Sequence, residues 1–215
     1  KQHTMNKHIN KKKGAVIVMA YASCAANVSG NIAMDCANPI VGGYTGRGAL
    51  INVDDLKTMT RDGANPRTIS AITIATGLTT IAVDNTAFAQ PFNGSTVQST
   101  DENGMVQYTK TFVVNIPLRG STTSKNIVEP LHKSALGFLL ILEKKDKVGN
   151  GSYVVVGAEQ GLKANADGVV RNEYENGGSI VATLSTTENF FEEVFFDTDY
   201  ETTKTAFEAL LAQAA

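Results

Sequence analysis

The chain of 215 residues is short of the side chains on which most enzymes depend, with no Trp, three His and two Cys. Outside the first eight residues the single histidine is His132, which lies next to Lys133 in a predicted helix. A hydrolytic triad needs a base, usually His, but a surface position is the more ordinary explanation of an isolated His132. We therefore predict that the protein is not an enzyme.

Motifs for cofactors and metals are also missing. The glycines between residues 42 and 48 have neither the phosphate-cradling nor the dinucleotide-binding spacing and are typical of a turn. Cys24 and Cys36 are too few for a disulfide scaffold or a structural zinc site. We expect two buried thiols, with a single bridge left open for an exported protein. We predict no cofactor and no metal site.

Long apolar runs are absent, which argues against an integral membrane protein. The 19 Lys and Arg nearly balance the 21 Asp and Glu, so a general attraction to nucleic acid is not indicated. The balance is uneven along the chain, because residues 1–18 contain lysines and no acid. Residues 19–215 therefore carry a net charge of −7.

Three interpretations of the basic segment 1–18 stay open. It is a secretion signal, with an apolar stretch at 14–22 and cleavage after Ala22 or lipidation of Cys24. Alternatively it is a disordered arm. In the third interpretation translation starts at Met19, and the segment is not part of the native protein. We expect one domain over residues 19–215.

The remaining pattern is mainly that of β-strands, with period-two alternation and short apolar runs broken by Gly, Asn and Asp. Residues 108–116 alternate best, with Lys110 and Val113 as exceptions. In 67–75, Ile69 and Ile72 are expected on opposite faces. We predict seven or eight strands, over residues 49–53, 67–75, 79–83, 108–116, 136–142, 153–156, 179–185 and 193–196.

The apolar run 136–142 fits a strand that is buried on both faces. Asn150 and Gly151 predict a hairpin turn after it. One helix is expected within 122–133, where Pro130 limits it or marks its first turn. A C-terminal helix follows a capping box at Thr198 and Glu201. Because no crossover helices alternate with the strands, we predict an antiparallel β-sandwich or barrel with one packed helix and a C-terminal helix.

Two polar stretches could carry function. Residues 87–105 are predicted to form one long irregular loop, and a loop of that length is usually functional or mobile. Six carboxylates lie between residues 188 and 201, but their spacing is not that of a calcium-binding loop. We interpret this acidic cluster, residues Glu188, Glu192, Glu193, Asp197, Asp199 and Glu201, as a solvated acidic face.

From residue 110 onward the order of features resembles the bacteriophage tail tube (major tail) protein family. The matching features are the strand 111–116, the helix around 126–133, the apolar strand 136–142 and the run YVVVGAEQGL at 153–162. The segment 35–43, followed by residues 50–55, is also similar to tail-associated proteins of gut-bacterial phages. The resemblance covers about two-thirds of the chain.

This resemblance implies a tail-tube-like fold related to the type VI secretion tube protein. It also implies hexameric rings that stack into a hollow tube for DNA passage in the virion, with other tail proteins such as the tape measure as partners. The lumen of such tubes tends to be acidic. No membrane and no tight DNA binding are implied.

The family makes ring-to-ring contacts through an extended loop or hairpin. By position and length, the candidate inter-ring residues here are Gln90, Phe92, Asn93, Gly94, Asp101, Glu102, Asn103 and Gly104. The alternative hypothesis is an exported β-sandwich lipoprotein or adhesin that binds a surface ligand, which requires processing at Ser23 or Cys24. A hydrolase depends on His132 alone.

Overall fold

The computed structural model describes residues 41–86, 92–116, 122, 124–147, 149–170 and 179–213. The predictions for residues 1–18, Cys24 and Cys36 lie outside these ranges. The described chain is mainly β, with two sheets and two helices. The strands are β1 (Tyr44–Asn52), β2 (Leu56–Arg61), β3 (Thr68–Ile74), β4 (Ile81–Asp84), β5 (Phe92–Thr100), β6 (Val106–Ile116), β7 (Phe138–Lys144), β8 (Tyr153–Val156), β9 (Lys163–Val170), β10 (Ile180–Glu188) and β11 (Glu193–Phe195).

The strands form a seven-stranded sheet of order β2-β3-β11-β8-β7-β1-β4 and a four-stranded sheet of order β5-β6-β10-β9. Every described pairing is antiparallel except that of β3 with β11. Apolar side chains from the two sheets share one core, which contains Phe112 and Leu184 from the smaller sheet and Leu140 from the larger. The prediction of a mainly antiparallel, sandwich-like fold is therefore confirmed.

Strand β7 lies near the middle of the larger sheet and is buried on both faces, as predicted. Leu140 and Leu142 point into the core between the sheets, whereas Leu139 and Ile141 point into a second core on the other side. All four are 0% exposed. The smaller sheet covers one face of the larger sheet, and the C-terminal helix covers the other.

The C-terminal helix, α2 (Tyr200–Ala212), packs through Phe207, whose ring centroid is 4.9 Å from that of Tyr153. The Arg47 guanidinium on β1 donates to both carboxylate oxygens of Glu208 at 2.8 and 2.7 Å. The predicted cap at Thr198 is wrong. Asp199 is the cap, because its Oδ1 accepts from the backbone N–H of Thr202 at 2.7 Å.

The other predicted helix is present as a π-helical turn (Ser124–Val128) followed by α1 (Glu129–Lys133). Pro130 lies in the first turn of α1, where a missing N–H costs nothing. Val128 and Leu131 face the core between the sheets. Within the described residues, no helix has both the length and the apolar character needed to span a membrane.

A tight connection follows β8 and requires glycine. Gly157 has φ of 88°, and a Cβ at this position would overlap the carbonyl oxygen of Phe138. The space is filled because Phe138 and Leu162 exchange two backbone hydrogen bonds, at 2.9 and 2.7 Å. The glycines of the run 153–162 therefore let the chain pass close to the start of β7.

Three strands were missed by the sequence pattern, namely β2, β5 and β9. The predicted faces of β3 are also wrong, because Ile69 and Ile72 are both buried in the core beneath α2. The pairing of β2 with β3 shifts register between Thr60 and Arg61, which breaks the simple alternation. Leu136 is 50% exposed, so the apolar strand begins two residues later than predicted.

The helix cover can be tested with Phe207→Ala. This change removes a fully buried ring and is expected to lower the free energy of unfolding by about 3–5 kcal/mol in urea denaturation. The control is Thr205→Ala on the exposed face of the same helix, which should change it by less than about 0.5 kcal/mol. Equal effects of the two changes would contradict the packing of α2 on the larger sheet.

Candidate assembly surface

The predicted irregular loop 87–105 is mostly a β-hairpin, so that prediction is wrong. Strand β5 pairs with β6 in continuous register from Phe92 opposite Val114 to Thr100 opposite Val106. Only Phe92 of β5 enters the core, and most of the strand is exposed. The backbone pairing to β6, rather than apolar burial, therefore holds β5 in place, and this is why alternation did not reveal it.

The turn of the hairpin is organised by Asp101. Its Oδ1 accepts hydrogen bonds from the backbone N–H groups of Asn103 at 2.9 Å and Met105 at 2.7 Å. Gly104 takes a φ of 81°, which favours glycine. Asp101 and Gly104 therefore shape the turn, whereas Glu102 and Asn103 are exposed at its tip.

Three apolar side chains surround this tip. Val97 is 61% exposed, Met105 58% and Val106 47%. Gln98 and Thr100 are on the same face of β5 as the buried Phe92, but they lie nearer the turn and are exposed. Exposed apolar side chains therefore lie on both faces near the end of the hairpin, Val97 on the outer face and Val106 on the inner one.

The four-stranded sheet ends in two different edges, β5 and β9. Strand β5 is nine residues long and has no charged residue and no proline. The edge strand β2 of the other sheet carries Lys57 and Arg61, and β4 is only four residues long. Charge and short length are the usual protections of an edge against pairing with another chain, and β5 has neither.

The outer face of the four-stranded sheet, which points away from the core, is built largely of hydroxyl and amide side chains. Register places alternate residues of β6 on this face, and they are Gln107, Thr109, Thr111, Val113 and Asn115. All five are partly exposed. The predicted alternation of β6 is therefore confirmed, and Val113 is simply an apolar member of the outer face.

The neighbouring strands continue the same composition. On β10 the outer residues are Val181, Thr183, Ser185 and Thr187, and on β5 they are Asn93, Ser95, Val97 and Ser99. None of these side chains on β5, β6 or β10 can be charged. Lys163, which pairs with Ser185 at the start of β9, is a charged residue at the border of this face.

The other exception on β6, Lys110, is on the inner face and is 2% exposed. Its Nζ donates to Oε2 of Glu188 on β10, which is also buried. A slip of β6 by one residue would turn Lys110 to the outer face and leave the Glu188 charge buried alone. The pair therefore opposes any change in the register at the base of the hairpin.

The acidic cluster is a solvated face only in part, because Asp197, Asp199 and Glu201 are exposed whereas two other members are internal. Glu188 pairs with Lys110, and Glu193, which is 0% exposed, pairs with Arg61 on β2. Lys144 Nζ donates a hydrogen bond to Oε1 of Glu192 at 2.5 Å, and the Asp199 side chain caps the N-terminus of α2. Among the described residues no group of His, Cys, Asp and Glu could hold a metal ion.

The sequence-predicted inter-ring residues have different positions. Gln90 lies outside the described residues. The Phe92 side chain is in the core, so it is not part of the exposed surface. Asn93 and Gly94 are exposed on β5, and the remaining four residues form the turn. His132 is exposed on α1, in agreement with its interpretation as a surface residue.

Sequence reasoning missed Val97, Met105, Val106 and the buried partners Lys110 and Glu188. The sequence pattern could have indicated the buried pair, because Lys110 interrupts the apolar face of a strand that otherwise alternates well. A charge at such a position is rarely tolerated without a buried partner.

Comparison of the chain with protein-family models, with curated proteins and with solved structures finds no match.

Removing one partner of the buried pair Lys110–Glu188 is expected to destabilise the protein strongly. Lys110→Met leaves Glu188 without its cation and should lower the free energy of unfolding by about 3–5 kcal/mol, whereas the double change Lys110→Met with Glu188→Leu should restore most of it. Urea denaturation of the three proteins measures both values. Lys133→Ala, which breaks the exposed pair with Glu129, should cost less than about 0.5 kcal/mol. A double variant as unstable as the single one would contradict this account.

The buried carboxyl of Glu193 is expected to contribute to the pH dependence of the free energy of unfolding. Burial raises the pKa of its carboxyl above the ordinary 4.5, although the hydrogen bond from Arg61 opposes the rise. A raised pKa means that the folded state holds the proton more tightly, so this contribution to stability is lost as the pH rises from about 4.5. Glu193→Gln should remove that component, measured by urea denaturation at several pH values. An unchanged pH profile in the variant would show that Glu193 does not titrate differently on folding.

Proposed function

We propose that the protein is a structural subunit that assembles with copies of itself into rings, and that stacked rings form a bacteriophage tail tube through which DNA passes. The observation that carries this proposal is the four-stranded sheet, which ends in the long, uncharged and exposed strand β5. An edge of this kind is a template for pairing with another chain.

The two edges of that sheet differ, so a ring would join unlike edges of neighbouring copies. Strand β5 is paired in regular register over its whole length, whereas β9 has a register shift between Ala182 and Leu184 of β10. A contact from the β5 edge of one copy to the β9 edge of the next is heterologous. Repeated contacts of this type close into a ring when the rotation permits and otherwise form filaments.

The tip of the hairpin supplies a second contact surface in another direction. Met105 and Val106 are exposed there together with the polar turn at 101–104. Burying Met105 and Val106 against a neighbouring ring would favour stacking by about 25 cal/mol for each Å² of apolar surface removed from water. This supports a role for the predicted inter-ring segment, now as a hairpin rather than as a loop.

The resemblance to tail tube proteins names the kind of assembly. Its matching features, from β6 through α1, β7 and β8, correspond to elements that form the sandwich. A tube subunit would be made in the bacterial host cytoplasm and end in the virion, with the tape measure and other tail proteins as partners. In the alternative hypothesis, an exported lipoprotein or adhesin, the β5 edge would have no partner of its own kind.

Assembly through β5 can be tested by electron microscopy of the purified full chain, in which rings or tubes are expected at high protein concentration. Gln98→Lys together with Thr100→Lys places charges on the β5 edge. We expect this variant to need about tenfold or more protein to assemble, which corresponds to about 1.4 kcal/mol per contact.

The matched control is Thr58→Lys together with Thr60→Lys on β2, which are exposed positions on an edge strand that already carries charge. This control should assemble like the parent, and both variants should keep the parent's circular dichroism spectrum. A strictly monomeric parent, or a β5 variant that assembles as readily as the control, would contradict the proposal.

A further inference from the structure

The buried pair of Lys110 and Glu188 brings a primary amine against a carboxyl group in the interior of the protein. Lys110 Nζ donates to Oε2 of Glu188, and the two side chains are 2% and 0% exposed. The pair joins the adjacent strands β6 and β10, and its members are 78 residues apart in the chain. An amine and a carboxyl group held together in this way are the two reactants of an amide bond.

The two oxygens of the Glu188 carboxyl have different partners. Oε2 accepts from Lys110, whereas Oε1 accepts from the backbone N–H of Glu159 at 3.4 Å. When an amine adds to a carboxyl carbon, negative charge grows on the oxygen that stays, and a fixed N–H aimed at that oxygen stabilises the charge. The N–H of Glu159 therefore supports Oε1 as the oxygen that stays, and Oε2, beside the ammonium group, is the one placed to leave.

Two further features beside the pair fit such a reaction. Thr186 lies opposite Lys110 in register, on the same inner face as Glu188, and its buried Oγ1 has no hydrogen-bond partner among the described residues. A buried hydroxyl without a partner is rare in proteins and calls for an explanation. A cavity of about 130 Å³ borders Lys110, Thr96 and Tyr44. It has room for a released water molecule, whose share of liquid volume is about 30 Å³.

We propose that Lys110 and Glu188 condense into an intramolecular amide bond, so that the folded chain carries a covalent link between β6 and β10. The bond from Lys110 Nζ to Glu188 Cδ forms, and the bond from Cδ to Oε2 breaks. Of the three ammonium protons, two leave with Oε2 as water and one stays on the amide nitrogen. The reaction is a condensation, so it needs no oxidant, reductant or further reactant.

Burial and proximity both favour the condensation. Keeping two ions away from water is costly, whereas an amide has no net charge to desolvate. Groups that are well oriented within one molecule react as if each were present at about 10⁵–10⁸ M. The exposed pair of Lys133 and Glu129 has the same chemical groups at 3.1 Å, with side chains 76% and 55% exposed. It should stay an ion pair, because water solvates both of its charges.

The amide is tested by mass spectrometry of the full chain after folding and prolonged incubation. The intact mass should be lower than the sequence mass by one water molecule. Trypsin does not cleave after a lysine whose amine is an amide, so the digest should contain residues 68–119 joined to residues 172–204. Cleavage after Lys133 should be normal. A folded chain that keeps the full sequence mass, or that loses water in another peptide, would overturn the amide.

Two variants are matched controls for the chemistry. Lys110→Arg keeps a cation beside Glu188 but has no primary amine, and Lys110→Met with Glu188→Leu removes both reactants. Each should keep its full sequence mass, and a loss of water in either would show that Lys110 and Glu188 are not the reactants. The parent held unfolded in urea should also keep its full mass, because the fold supplies the proximity. Water loss at an equal rate in urea would contradict the assigned role of the fold.

The hydroxyl of Thr186 has a separate test. Thr186→Val keeps the branched shape of the side chain and removes the hydroxyl, so the variant should lose water more slowly than the parent while its circular dichroism spectrum stays the same. An equal rate of water loss would exclude a part for this hydroxyl in the condensation.

The covalent link does not rest on the proposed function. A chain that condenses but forms no rings overturns the tube and keeps the amide, whereas tubes built from chains of full sequence mass do the reverse. The stability changes expected above for Lys110→Met and for the double variant refer to a parent that still holds the ion pair, which its intact mass identifies.

Discussion

Strand β7 is apolar at every side chain from Phe138 to Leu142, and the need to bury both of its faces is the constraint on which the other elements depend. A sheet with such a strand at its centre requires two covers. The four-stranded sheet provides one, and α2 with Phe207 provides the other. Among the described residues, the layered order that follows leaves the outer side of the smaller sheet without a cover.

Ion pairs also link neighbouring elements, two of them within a sheet and one between the larger sheet and α2. Lys110 and Glu188 join β6 to β10, Arg61 and Glu193 join β2 to β11, and the half-exposed pair of Arg47 and Glu208 joins β1 to α2. Ion pairs of this kind contribute little net stability against an apolar alternative, because desolvation offsets their attraction. They strongly penalise a wrong strand register. Lys110 and Glu188 do so for β6 of the hairpin, and Arg61 and Glu193 do so for β2 at the edge of the larger sheet.

The same ion pairs explain why the composition of the chain was a poor guide to its surface. An excess of acid in residues 19–215 was compatible with an acidic lumen, yet part of that acid neutralises buried cations. The exposed face and the exposed edge of the four-stranded sheet consist of uncharged residues on the three strands β5, β6 and β10. The β5 edge that the proposed assembly uses is therefore uncharged.

The sequence by itself determined the β class, the doubly buried β7, the β7–β8 hairpin and both helices, because each depends on local periodicity, turn residues or composition. It failed at β5, whose side chains do not alternate against a core, at β2 and β9, and at the faces of β3, where a register shift moves Ile69 and Ile72 to one side. Only the tertiary structure decided that Lys110 meets Glu188 and that Val97, Met105 and Val106 are each exposed near the end of the hairpin. Contacts between residues distant in the chain leave no periodic trace, because they follow from how strands pair rather than from the order of side chains within one strand.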